Sequence, residues 1–194
     1  MSRGAKRSLR SRTICLGVTV IVLASYGAAA LEVVHADAHY QDKEYRVELD
    51  LIVDAPSERV EAVLRDYARY PRLDPSILEA HVQSRPDAHS VLLYTKLRAC
   101  AGVFCRTVNR VERVREGDLE LEAIVLPDRS DVIDGRTHTT LVADAGKTRV
   151  HYQTFVVPKF WVPGLIGRPL MLRTLKDASL NLFKNVEIYA RASS

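Results

Sequence analysis

An α+β fold is predicted, in which a curved antiparallel sheet of about six or seven strands wraps around one long C-terminal helix. Three observations carry this. From Ile77 to Val157 the chain breaks into short alternating runs separated by turn residues, with no helical repeat between them. That is how strands of an antiparallel meander read. From Leu172 to Tyr189 apolar residues instead recur at helical spacing. A helix of about twenty residues is ~30 Å long, and its single apolar stripe can be buried only against the sheet. Because strands twist, such a sheet curls and leaves space toward one end of the helix.

The elements follow in order. Residues 1–30 read as a secretory signal: Arg3, Lys6, Arg7, Arg10 and Arg12, then the apolar stretch Ile14 to Ala24, then Gly27, Ala28, Ala29 and Ala30. Basic start, short apolar middle and small-residue exit define that class, and cleavage is expected after about Ala30. An uncleaved anchor would need about 20 apolar residues, more than this stretch supplies. Cys15 lies inside the apolar run without a small residue before it, so it makes no lipid-attachment motif. Residues 31–43 are expected to be a flexible N-terminal segment, and 44–191 a single domain. Tyr45 to Val53 alternates strictly and reads as a half-buried strand. Pro56 suits the first turn of a helix, and Val60, Val63, Leu64 and Tyr67 continue it to about Tyr67. Strands are expected over Ile77–Gln83, Ser90–Ala99, Arg106–Val114, Leu119–Val125, Ile133–Val142 and Thr148–Val157. The stretch Pro158 to Pro169, rich in proline and glycine, is expected to be irregular.

The charge balance excludes one class of partner. The 194-residue chain carries 28 basic and 24 acidic residues. All five charges before Leu31 are basic, so 28 less five leaves 23 basic against 24 acidic residues after cleavage. A nucleic-acid-binding field is absent from such a domain. Export also decides how the cysteines read. Beyond Cys15 there are only Cys100 and Cys105, with Gly102 between them. In an oxidising compartment a structural disulfide across a hairpin end is expected. A redox pair favours C-x-x-C spacing, and no second Cys/His pair completes a metal site. No metal and no cofactor are expected.

The order strand, short helical connection, antiparallel strands, long helix resembles the START-like helix-grip superfamily. It is most similar to the coenzyme Q-binding START-domain and polyketide cyclase/dehydrase branch. The residues that carry the likeness are Ile52-Val53-Asp54-Ala55-Pro56-Ser57-Glu58-Arg59-Val60 and Asp66-Tyr67-Ala68-Arg69-Tyr70-Pro71. Phe160-Trp161-Val162-Pro163 resembles exported members. The likeness runs from about Glu44 to Tyr189. It implies binding of a lipid, a quinone or a polycyclic aromatic, and supplies no universal catalytic motif. The export signal and the Cys100–Cys105 clip depart from most cytoplasmic members.

No nucleophile motif is present. His35 and His39 have i, i+4 spacing but lack a helical pattern and a third ligand nearby. His138 shares a strand face with Asp134, Arg136 and Thr140, which either looks inward as acid/base chemistry or outward to solvent. Tyr94 and Arg98 share a face of their strand and pose the same choice, with Arg98 a partner for an anionic headgroup if inward. Tyr152, on a face with Val150, Thr154 and Val156, is expected inside. Leu172 and Leu175 of the last helix complete the expected ligand-binding set. Phe160, Trp161, Leu165 and Ile166 are too apolar for a solvated loop; they cap the pocket, touch a membrane surface, or pack on the core. Three functions are therefore open. The first is a monomeric periplasmic carrier of an apolar small molecule. The second is a cyclase- or dehydratase-type enzyme using His138 or Tyr94. The third is a ligand-free module that binds through Phe160 to Ile166.

Overall fold

The computed structural model describes residues 31–101 and 104–192. The expected signal peptide, Cys15 and Gly102 lie outside the described residues. Eight strands are found among them: β1 (Glu32–Gln41), β2 (Glu44–Val53), β3 (Ile77–Asp87), β4 (Ser90–Ala101), β5 (Phe104–Gly117), β6 (Glu120–Val125), β7 (Val132–Asp144) and β8 (Lys147–Pro158). Helices α1 (Ser57–Arg65) and α2 (Tyr70–Leu73) connect β2 to β3, and α3 (Gly167–Ala192) ends the domain. One antiparallel sheet runs β1-β2-β8-β7-β6-β5-β4-β3. The connection through α1 and α2 therefore carries the chain from one side of the sheet to its far edge. The meander then returns until β8 pairs with β2, for example Leu49 opposite Tyr152.

Strand β2 shows why the sheet has a defined inner face. Val47, Leu49, Leu51 and Val53 are at most 1% exposed, while the residues between them are half-buried. A shift of one residue would turn that whole row to water. In α1 the apolar Val60, Val63 and Leu64 are buried. Pro56 stands just before the helix, and its carbonyl accepts from the Val60 N–H at 3.1 Å. Along α3, Phe183, Val186 and Ala190 are fully buried and belong to the same core as β2, Val150 and α1. The Phe183 ring meets Tyr152 edge-on at 5.2 Å.

Polar contacts pin the far end of α3. The buried Glu187 carboxylate accepts the Asp54 N–H at 3.1 Å, and Asn185 Nδ2 donates to the Leu73 carbonyl at 2.7 Å. These tie the helix to the end of β2 and to α2.

Two expectations need correcting. Residues 31–43 are not a flexible segment: β1 pairs with β2 from Glu32 to Gln41, which brings the strand count to eight. Its inward side chains include Ala36 and Ala38, packed against the core, and such small residues leave little hydrophobic signal. The turn is also disguised. Asp42 and Lys43 both have positive φ, 53° and 71°, the tight hairpin geometry usually announced by Asn-Gly. The second correction is the start of α3, which begins at Gly167 rather than near Leu172. Pro169 falls in its first turn, where a missing N–H costs nothing.

Truncation of the central aromatic should show how much this packing matters. Phe183→Ala is expected to lower unfolding free energy by ~3–5 kcal/mol, measured by urea denaturation. A loss well under that range would mean that α3 contributes little to the core.

Candidate functional site

The same helix that packs tightly at its C-terminal end stands off the sheet toward its beginning. Two adjoining cavities lie there, of about 180 and 120 Å³. They share Ile77, Arg110, Tyr152 and Leu182. The larger lies toward the start of α3, against Met171, Leu175 and Ala178, with Val108, Val156 and Phe160 among its other walls. The smaller runs inward to Leu64, Tyr70, Leu93 and Leu121. The physical origin of the space is side-chain length. Ala99, Ala123, Thr137, Thr154, Ala178 and Ser179 line the two cavities, and none of them reaches far enough to close the gap. A void near 150 Å³ holds roughly one benzene-sized group.

Two polar side chains, Arg110 and Tyr152, belong to both cavities; Glu112 lines the smaller one, and Asp74 and Ser76 line the larger. Neighbours two apart on a strand share a face, so Val108, Arg110, Glu112 and Val114 form the inward row of β5. Arg110 Nε lies 3.0 Å from Glu112 Oε2 and donates to Thr95 Oγ1 at 3.4 Å. The Glu112 side chain is 4% exposed. Burial pushes its carboxyl up from the ordinary value of 4.5, and the Arg110 charge pulls the other way. Burial likewise raises the Tyr152 phenol, opposed in part by hydrogen bonding with Ser179. The Tyr70 hydroxyl, also held neutral by burial, donates to the Leu64 carbonyl at 2.8 Å.

The mouth is built from three segments. The Cys100–Cys105 disulfide closes the tip of the β4–β5 hairpin, as expected. Thr174 Oγ1 of α3 donates to the Cys100 carbonyl at 3.2 Å, so the hairpin rests on the helix. The loop from β8 into α3 supplies Phe160 to the cavity wall, and Arg106 lies over that ring at 5.3 Å.

Of the residues expected to meet a ligand, Tyr152 and Leu175 line the cavity. Tyr94, Arg98 and His138 do not. Tyr94 turns to the outer face, donates to Asn109 Oδ1 at 2.8 Å and stacks near His81 at 4.9 Å. Arg98 is exposed on that same outer row of β4. His138 lies 2.7 Å from Glu120 Oε1 on the outside of β7, in a surface groove with Arg46, Glu122 and Arg136. The physical reason is register: Val91, Leu93 and Thr95 of β4 and Thr139 and Leu141 of β7 are the buried rows, and their neighbours must point away. Trp161 is 82% exposed and is absent from the cavity wall, where Phe160 takes its place. Leu172 is half-buried beside the cavity, with Met171 lining it instead. Among the described residues no group of three His, Cys, Asp or Glu is placed to hold a metal ion. The pair that sequence reasoning missed is Arg110 and Glu112. Two opposite charges at i and i+2 between Val108 and Val114 were the available signal.

No protein-family model matches the chain, and no curated protein matches it. Solved structures do. A START superfamily protein from Mycobacterium smegmatis superimposes with a TM-score of 0.60 at 17% identity, covering 74% of this chain and 97% of that one. The Zhui aromatase/cyclase from Streptomyces sp. R1128 gives 0.62 at 15% identity, covering 76% and 94%. A STAR-related lipid transfer protein from Xanthomonas axonopodis gives 0.60 at 15% identity, covering 80% and 98%. This is the START-like helix-grip fold. Within a helix grip, the gap between the last helix and the sheet is the concave space that the architecture itself creates, and here Arg110 and Glu112 line it from the sheet side.

The Glu112 environment has a consequence for stability. Folding raises its pKa, so the unfolded chain releases the proton first as pH rises, and stability attached to the neutral carboxyl is lost from about pH 4.5 upward. Glu112→Gln stays neutral throughout. Its stability relative to the native chain is therefore expected to improve between about pH 4 and neutrality, read from urea unfolding at several pH values. A flat difference would place no raised carboxyl at this position.

Proposed function

We propose that this chain is an exported carrier for a hydrophobic small molecule held between α3 and the sheet. The observation that carries this reading is the cavity itself: apolar walls at the start of α3, with Arg110 and Tyr152 common to both cavities, Glu112 in the smaller and Asp74 in the larger. Removing apolar ligand surface from water there gains about 25 cal/mol per Å², and a few fixed polar groups orient the molecule. The ligand is a lipid, quinone or polycyclic aromatic with one polar end directed at Arg110. A neutral acceptor such as a carbonyl or hydroxyl suits that position best. The guanidinium is already balanced by Glu112 at 3.0 Å, and a second anion would be repelled unless Glu112 took up a proton.

Several observations support export. The basic and apolar opening of the sequence has signal-peptide form. The Cys100–Cys105 disulfide suits an oxidising compartment. The START superfamily and lipid transfer names of two structural neighbours agree with a carrier.

A cyclase-type enzyme using the same cavity is the second reading, favoured by the Zhui aromatase/cyclase neighbour and by ionisable groups inside the cavity. Such chemistry would have to draw on Arg110, Glu112 or Tyr152, because His138 and Tyr94 face away.

Protein purified without denaturation is expected to release a stoichiometric apolar compound on organic extraction, detected by mass spectrometry. Leu175→Trp, which fills the larger cavity, should abolish that co-purification while leaving a folded protein. The double variant Arg110→Met with Glu112→Leu removes both charges together and avoids an orphaned buried ion. It is expected to weaken retention by ~10-fold or more, the worth of a charge-assisted hydrogen bond. Finding no compound in the native protein, or unchanged retention in Leu175→Trp, would overturn the carrier reading.

A further inference from the structure

The loop from β8 to α3 exposes apolar surface where the cavity opens. Trp161 is 82% exposed, Leu165 95% and Ile166 78%, the three highest values among the exposed large apolar side chains. They fall within six residues of one loop, and Phe160 of that same loop forms part of the cavity wall. Isolated apolar residues on a surface need no explanation, but a clustered patch marks an interaction site.

Charge around this patch is segregated. From Ala145 to Lys176 the sequence contains no Asp or Glu, and from Lys96 to Val111 again none. These two stretches hold the β8–α3 loop, the first turns of α3 and the β4–β5 hairpin, which together form the mouth. Their cations include Arg98, Arg106, Lys159, Arg168, Arg173 and Lys176. Arg106 sits over Phe160, and Arg168 folds over Tyr40 at 4.3 Å. Lys159 Nζ donates to the Pro127 and Ser130 carbonyls, fixing a positive charge beside the loop. The acids of this region include Asp177, 3.6 Å from Arg173, Asp131, which accepts from the Asn109 N–H and side-chain amide, and the buried Asp74 on the cavity wall. Cations exceed them, although the chain beyond the signal segment is nearly neutral.

We infer that this mouth docks on an anionic lipid bilayer, with Trp161, Leu165 and Ile166 entering the interface and the surrounding Arg and Lys residues meeting lipid phosphates. An aromatic ring and two aliphatic side chains framed by basic residues are what an interfacial segment combines. The attraction to anionic headgroups acts within a Debye length of the surface. Docked this way, the cavity mouth faces the bilayer and a ligand moves between the two without crossing water. That consequence rests on the carrier reading; the docking itself does not.

Trp161 is the single tryptophan of the chain, so its fluorescence reports on this loop alone. Adding vesicles of phosphatidylglycerol and phosphatidylcholine to the ligand-stripped protein should shift the emission to the blue. Phosphatidylcholine vesicles alone should produce little shift, and added salt should weaken the effect. Leu165→Asp with Ile166→Asp should reduce vesicle partitioning by at least ~10-fold, and Arg106→Glu with Arg173→Glu should do so on anionic vesicles only. Both double variants should keep the native circular dichroism spectrum. No blue shift on anionic vesicles, or an equal shift on phosphatidylcholine, would overturn the inference. So would a shift that grows with protein concentration in the absence of lipid, since that would assign the patch to a second copy of the chain. Docking without any co-purified ligand would sink the carrier reading and leave this one standing.

Discussion

The position of α3 on the sheet is the constraint on which the rest depends. Its apolar stripe cannot stay in water, and the concave face of the sheet is the available apolar partner. Contact is complete where Phe183, Val186 and Ala190 meet the core, all of them fully buried. Nearer the beginning of the helix the opposing residues are short, and contact is incomplete. One helix therefore does two jobs along its length: its second half holds the domain together, and its first half roofs a cavity.

That division explains why the polar groups sit where they do. Arg110 and Glu112 would be costly within a tightly packed core, since burying an ion pair rarely gains what its desolvation loses. Beside a cavity the cost is smaller, because the Arg110 side chain keeps 26% of its exposure while Glu112 keeps 4%. Arg110 stands at the wall common to both cavities, and Glu112 lines the smaller one. A molecule entering from the mouth would meet apolar surface first and this charge pair further in. At the far end of the helix a second buried carboxylate, Glu187, accepts the Asp54 N–H and lies 4.0 Å from Arg191, so that charge too has a partner.

The mouth depends on connections that are short and constrained. The disulfide keeps the β4–β5 tip closed against Thr174. Gly167, at the start of α3, lies so close to the loop that an added Cβ would fall 2.8 Å from the Pro163 ring, so the chain turns sharply from loop into helix. The exposed apolar side chains are thereby held away from the core rather than folding back on it. Arg168 stacked on Tyr40 ties the same corner to β1, the strand already joined to the sheet by its pairing with β2.

The sequence by itself determined the elements whose pattern is local. Strict alternation marks β2, the 3.6-residue repeat marks most of α3, and the absence of helical spacing between Ile77 and Val157 marks an antiparallel meander. It also determined the disulfide partners, because Cys100 and Cys105 sit at opposing positions of one hairpin. Only the tertiary structure decided which face of β4, β5 and β7 looks inward. In β7 the inner row holds Gly135, Thr137 and Thr139 and the outer row Asp134, Arg136 and His138, and neither reads as a core. The ambiguity has a physical cause. A strand that borders a cavity is not selected for close packing on that side, so it loses the apolar alternation by which a buried face is recognised. Tyr152, among apolar neighbours on β8, could be placed from sequence; Arg110 and Glu112 could not.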